Sequence, residues 1–250
     1  MKFSITLTAL VLLSFLTKAS EPDKIPTSKG SLEIYPISHA TLAFKWNEMT
    51  IYVDPTGGAK AFSDFSSPDI ILITDTHGDH LQPETLKELE ASDATYIVPQ
   101  AVADQLPGDL SKNIIILGNG DSKEVEGIAV EAIPMYNLPV SDDGFHQKGR
   151  GNGYLLTMGG KRVYLSGDTE DIPEMRALKN IDVAFVCMNL PYTMDVDQAV
   201  SAVLDFKPKI VYPYHFRGQG GLSDVEKFKS EVESGNKNIE VRLREWYPGS

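Results

Sequence analysis

Thr74-Asp75-Thr76-His77-Gly78-Asp79-His80 follows the run Asp69-Ile70-Ile71-Leu72-Ile73 and precedes Pro83-Glu84-Thr85-Leu86. The run 69–74 is apolar almost throughout, the pattern of a strand buried on both faces. Pro83 suits a first-turn position, and Leu86 and Leu89 lie three apart, so a helix is predicted over 83–91. Four ligand-capable side chains therefore crowd the join between a strand and a helix. In an extended stretch alternate residues face one way, so Asp75, His77 and Asp79 converge on one point while His80 turns with the helix entry. Acids and imidazoles this dense at a strand end point to metal binding or catalysis. A polar loop in which Asp79 caps the helix is the alternative reading.

Working outward, short runs rich in β-branched and aromatic residues predict strands at 32–37, 40–46 and 49–53, with Asn47-Glu48 as a tight turn between the last two. Further strands are predicted at 96–98, 114–117, 128–133, 154–157, 162–165, 183–187 and 210–212. Helices are predicted at 198–206 and 224–232, and a closing strand at 240–244. Strands followed by strands alternating with helices, twice over, suggest an α/β protein of two sheets packed face to face with helices outside. No composition break or repeat divides 31–247, so the reading is a single domain.

Composition narrows the function classes. Of 250 residues, 42% are hydrophobic and 23% charged, which excludes disordered, collagen-like and multi-span membrane proteins. The formal net charge of −12 opposes nonspecific attraction to phosphate backbones, so nucleic acid is not an expected partner. The single cysteine, Cys187, provides neither an internal disulfide nor a cysteine-rich zinc site. It is expected to be a small buried hydrophobe on its strand. Any metal must be held by histidines and carboxylates.

At the N-terminus, Lys2 precedes an uncharged run over 5–16 and then Thr17-Lys18-Ala19. This pattern predicts a signal peptide over 1–19 and an exported protein, periplasmic or secreted. The run is short of the ~20 residues that span a bilayer, so no stable membrane insertion is expected after cleavage. Residues 20–30 are expected to be an exposed leader.

The segment at 74–80 resembles the signature of the metallo-β-lactamase superfamily, H-x-H-x-D-H between a strand and a helix, written here D-x-H-x-D-H. Val163-Tyr164-Leu165-Ser166-Gly167-Asp168-Thr169 resembles that superfamily's strand followed by Gly-Asp-Thr, and Pro213-Tyr214-His215 resembles its terminal histidine ligand. Ser38-His39-Ala40-Thr41-Leu42 and Val53-Asp54-Pro55 are similar to elements of the branch of ascorbate-phosphate-lactonase-like metal-dependent hydrolases. The resemblance implies a four-layer αβ/βα metallo-β-lactamase-like sandwich holding one or two divalent ions, zinc by family, with manganese or iron as the other choices. It implies Asp75, His77 and Asp168 as ligands of a first ion, and Asp79, His80, Asp168 and His215 as ligands of a second. A metal-bound hydroxide would then cleave an ester, lactone or phosphoester bond of a small molecule, with Asp79 orienting the nucleophile. An N-acyl-phospholipid-type phosphodiesterase and a metal- or ligand-binding module without turnover are the alternatives. β-Lactam hydrolysis is not implied, because the branch points elsewhere.

Two departures from the family pattern stand out. Asp75 replaces the first histidine, a harder and anionic donor that favours manganese or iron relative to an all-histidine site. Tyr136-Asn137 stands where a third histidine is expected. His146, in Phe145-His146-Gln147-Lys148-Gly149, resembles a segment found beside a Tyr-Asn pair in part of this branch. It is either a further ligand or a residue that binds substrate or supports a ligand from behind, and with Asp79 it is a candidate catalytic residue. His39, Asn137, Lys148, Arg150 and Arg217 are candidate substrate contacts, the three cations as clamps for an anionic group. Asp54 is expected to orient a ligating imidazole from behind. The sequence leaves a homo-oligomer open.

Overall fold

A computed structural model describes residues 21–110 and 112–247. The predicted signal peptide lies outside the described residues. Two seven-stranded sheets are present, each a four-stranded antiparallel meander extended by three parallel strands. The first runs β1 (Asp23–Thr27), β2 (Gly30–Ser38), β3 (Thr41–Trp46), β4 (Met49–Val53), β5 (Ile70–Leu72), β6 (Thr95–Val98) and β7 (Asn113–Ile116). The second comprises β8 (Ser122–Val125), β9 (Ile128–Met135), β10 (Gly151–Met158), β11 (Lys161–Leu165), β12 (Val183–Cys187) and β13 (Ile210–Tyr214). A small hairpin, β14 (Arg217–Gly218) and β15 (Gly221–Leu222), follows, and β16 (Glu240–Val241) completes the second sheet beside β13.

The layering follows from the alternation of side chains along each strand. On β5, Ile70 and Leu72 join the cluster between the sheets, while Ile71 and the following Ile73 join the cluster on the outer face. Ile97 faces inward on β6 and Tyr96 and Val98 face outward. The outer face of the first sheet is covered by α1 (Pro83–Glu88) and α2 (Gln100–Ala103), whose Leu86 and Val102 pack on Ile71, Ile73 and Tyr96. After α3 (Pro173–Arg176), α4 (Val196–Phe206) and α5 (Val225–Gly235) bury Ala199, Val203, Phe206, Phe228 and Val232 with the second sheet. The result is the expected four-layer αβ/βα sandwich. A capping box fixes the start of α4: Asp195 accepts from the Gln198 amide while the Gln198 side chain accepts from the Asp195 amide.

The tight turn between β3 and β4 has Asn47 and Glu48 both at positive φ, the conformation that matches strand twist in a two-residue hairpin. The leader expectation is corrected. Residues 23–27 form β1, paired with β2 and anchored by buried Ile25. Pro26 is tolerated because β1 is the edge of its sheet, and Tyr212, Arg242 and Arg244 from the other half hold Asp23. The folded domain therefore includes residues that the sequence assigns to an exposed leader. The strand predicted at 240–244 contracts to Glu240–Val241.

Candidate metal centre

The carboxyl ends of β4, β5, β11, β12 and β13 point the same way, and the loops beyond them carry the site, the usual place for a ligand in a sheet with parallel strands. Asp54 follows β4, residues 74–80 follow β5, Asp168 follows β11 and His215 follows β13. Gly167, at φ +60°, makes the turn that presents Asp168; a Cβ there would stand 2.6 Å from Met135 Sδ. His39, Asp54 and His215 also adopt positive φ, a conformation uncommon for side-chain-bearing residues.

Among the described residues three groups of donors converge: His80 with Asp168 and His215, His39 with Asp79 and His215, and Asp75 with His77 and His146. In the first group, His215 Nε2 lies 3.2 Å from His80 Nε2 and 3.2 Å from Asp168 Oδ1, and His80 Nε2 lies 3.4 Å from Asp168 Oδ2. Asp79 Oδ2 is 3.4 Å from His215 Nε2. Asp54 Oδ2 accepts from His80 Nδ1 at 2.8 Å, which turns the His80 Nε2 lone pair into the cluster. The hydrogen bond expected of Asp54 to an imidazole is thus present, on His80. Asp168 Oδ1, though buried, receives no hydrogen bond. Lone pairs and a carboxylate facing one another at these distances call for a proton or a cation between them, and the mixed nitrogen and oxygen donors suit a divalent ion.

The electrostatics agree. Burial would push the Asp168 carboxyl up, but His215 and His80 outweigh it and hold it well below the usual range. Burial would lower the His80 imidazole, yet Asp168 and Asp54 raise it well above its ordinary value, so in the ion-free protein a proton takes the cation's place. Asp79 is likewise depressed: hydrogen bonds from His215 and His39 overcome its desolvation. Burial lowers His39, and its Nε2 donates to Asp79 Oδ2 while Nδ1 accepts from the Tyr247 hydroxyl.

His146 is brought into the centre by the residue that replaces the expected histidine. Asn137 Oδ1 accepts from the His146 backbone amide at 2.7 Å and from its Nδ1 at 3.2 Å, while Asn137 Nδ2 donates to the Tyr192 carbonyl. His146 Nε2 is left 3.2 Å from Asp168 Oδ2. A cavity of about 320 Å³ opens above, lined by His77, Asp79, Phe145, His146, Asp168, Asn189 and Tyr192. The Phe145 and Tyr192 rings meet edge to face at 5.1 Å. Asn189 and Tyr192 are missed by the sequence reading, although their position after β12 marks them as a loop at the functional end of the sheet.

The candidate clamps divide. Lys148 Nζ is spent on Glu174 at 2.7 Å and lies over the Tyr136 ring, so it does not line the cavity. Arg217 stacks its guanidinium on Tyr247, 4.4 Å from the ring centre, outside the cavity lining. Asn137 holds His146 rather than facing the cavity. Arg150 is paired with Asp75. Cys187 is buried with its thiol pushed up to about 11, and donates to the Thr169 carbonyl, as a packed thiol should.

The family model of the beta-lactamase superfamily domain matches residues 33–215. The chain belongs to the metallo-β-lactamase superfamily. It is 31% identical over 205 residues to a metal-dependent hydrolase of Pyrococcus abyssi, covering 78% of this chain and 88% of that one. A crystal structure of a metal-dependent hydrolase from Parabacteroides distasonis superposes with a TM-score of 0.80 at 39% identity, covering 91% of this chain and 99% of the other. A metallo hydrolase of Ignicoccus hospitalis shares the fold, with a TM-score of 0.73 at 23% identity over 86% of this chain and 95% of its own. The chain is a metal-dependent hydrolase of this superfamily. Among the described residues no helix is long and apolar enough to cross a membrane.

Proposed function

We propose that this enzyme hydrolyses an ester, lactone or phosphoester bond in a small molecule, with one face of the substrate against Phe145 and Tyr192. The observation that carries the reading is the convergence of His80, Asp168 and His215 beneath an open cavity, with Asp54 fixing the His80 tautomer from behind. These residues and Asp79 would hold a divalent ion, which would supply the Lewis acidity and the acidified water that hydrolysis at neutral pH needs. Asp79, 44% exposed at the cavity wall and kept ionised, would accept a hydrogen bond from an attacking water and so orient it. His146 Nε2, left free because Nδ1 donates to Asn137 Oδ1, would take up the proton that the attacking water loses and pass it to the leaving group. Zinc fits two imidazoles with a carboxylate; the carboxylate share admits manganese or iron. A panel of aryl esters, lactones and phosphodiesters tests the reading. Turnover of one class that chelation removes and metal restores is expected. Metal-loaded protein inert toward all three classes would leave a binding module instead.

We also propose that the chain is exported. The charge-then-apolar pattern of 1–19 supports this, and the mature protein from its native host should begin near Ser20 or Glu21. Intact-mass analysis showing a retained Met1 would overturn it.

A further inference from the structure

The family pattern calls for a first ion at Asp75 and His77, and in this chain a side chain stands there. Arg150 Nε donates to Asp75 Oδ1 at 3.0 Å and Nη2 to Asp75 Oδ2 at 2.8 Å, a two-pronged pair on a carboxylate with no exposed side-chain surface. His77 Nδ1 lies 3.0 Å from the same Oδ2, and His77 Nε2 accepts from Arg150 Nη2 at 3.3 Å. Nη2 is anchored further by the Phe145 carbonyl at 2.7 Å. Both Asp75 oxygens and both His77 nitrogens are thus engaged, and only His146 Nε2 of that group remains, facing Asp168. Burial would raise the Asp75 carboxyl, but hydrogen bonds from His77 and Arg150 hold it at about 2, so it stays ionised for its partner.

The neighbouring cluster differs in kind. Among the described residues the ion pairs of Asp79 and Asp168 are all with histidines, so their charge remains available to a metal. At Asp75 the charge is already balanced. A divalent ion entering there would have to break a buried bidentate pair and leave a permanently charged guanidinium beside it. We propose that the Arg150 guanidinium occupies the place of the first ion, so that this chain is a one-ion hydrolase with its metal at His80, Asp168, His215 and Asp79. The inference rests on the hydrolase reading only for that metal, and its test counts ions rather than turnover.

Metal-free protein is reloaded with zinc, and separately with manganese, passed through a desalting column and analysed for ions per chain, with electron paramagnetic resonance of the manganese form. The wild type is expected to retain one ion and to show no spin-coupled manganese pair. Asp75→His alone, which restores the commoner motif but keeps the cation, should still retain one. Asp75→His combined with Arg150→Met leaves no buried charge stranded and should retain two, with a spin-coupled pair. Two ions in the wild type, none in the wild type, two in Asp75→His alone, or one in the folded double variant would each overturn the proposal. The wild-type ratio decides it even if the double variant does not fold. One ion without turnover would instead count against the hydrolase reading and leave this one standing.

Discussion

His215→Ala is expected to empty the metal centre and abolish hydrolysis. The His215 imidazole meets His80 and Asp168 at 3.2 Å and Asp79 at 3.4 Å, so its removal deletes the donor that touches every other member of the cluster. A catalytic site of this type needs three protein donors and an open position. Without it, His80, Asp168 and Asp79 remain, but Asp79 stands 3.9 Å from His80 and is held toward the rim by His39, so the three no longer close around one point. The loss should exceed the roughly 10–100-fold that removing an outer partner of a ligand costs. Metal per chain and activity on whichever substrate class the wild type accepts should fall together. A variant that keeps full metal and full rate would remove His215 from the centre and, with it, the assignment of the second site.

Much of this site is legible from local sequence because local sequence builds strand ends. The buried run at 69–74 fixes where the polar cluster begins, and the strands before Asp168 and His215 deliver those residues to the same end of the sandwich. What stays hidden depends on partners far apart in the chain. Arg150 reaches Asp75 across 75 positions, and Tyr247 holds His39 across 208, contacts that no spacing rule encodes. The three cations, read alike as candidate clamps, have unlike fates because pairing is decided by the nearest carboxylate or aromatic ring, not by distance from the motif. Asn137 shows the converse. Its place in sequence suggests a lost ligand, whereas in space it secures His146 as a neighbour of Asp168. The strand Asp23–Thr27 escaped because a single apolar residue, Ile25, anchors it, and pairing with β2 supplies the rest.

Asp54→Asn should weaken metal binding about 10–100-fold while leaving the fold intact. The backbone at Asp54 has φ +45°, a conformation that asparagine also tolerates, so the substitution isolates the chemistry of the carboxylate. That carboxylate accepts three hydrogen bonds: the Thr74 amide on Oδ1, and the Thr74 hydroxyl and His80 Nδ1 on Oδ2. An asparagine has one acceptor oxygen. If its oxygen serves Thr74, its amide faces His80 and demands the Nδ1 lone pair, which moves the His80 proton to Nε2 and blocks coordination. If its oxygen serves His80, the amide confronts the Thr74 N–H, and two buried donors meet. The charge matters as well, because Asp54 is one of the two carboxylates that raise the His80 imidazole. In the ion-free wild type that elevation stabilises the fold fully below pH 6.5, and the contribution disappears as pH rises through the raised value. Metal uptake must displace the His80 proton, so apparent affinity should climb with pH above the ordinary imidazole range. In Asp54→Asn the climb should finish at lower pH, though the plateau is weaker. Asp54→Ala should go further, costing about 3–5 kcal/mol in urea unfolding, the range for breaking a buried ion pair. Calorimetric metal titrations of the wild type and Asp54→Asn across pH 5 to 9 (about the span over which imidazole titrates) read both effects. An Asp54→Asn protein with wild-type affinity and an unmoved pH dependence would show that His80 keeps its tautomer without this partner.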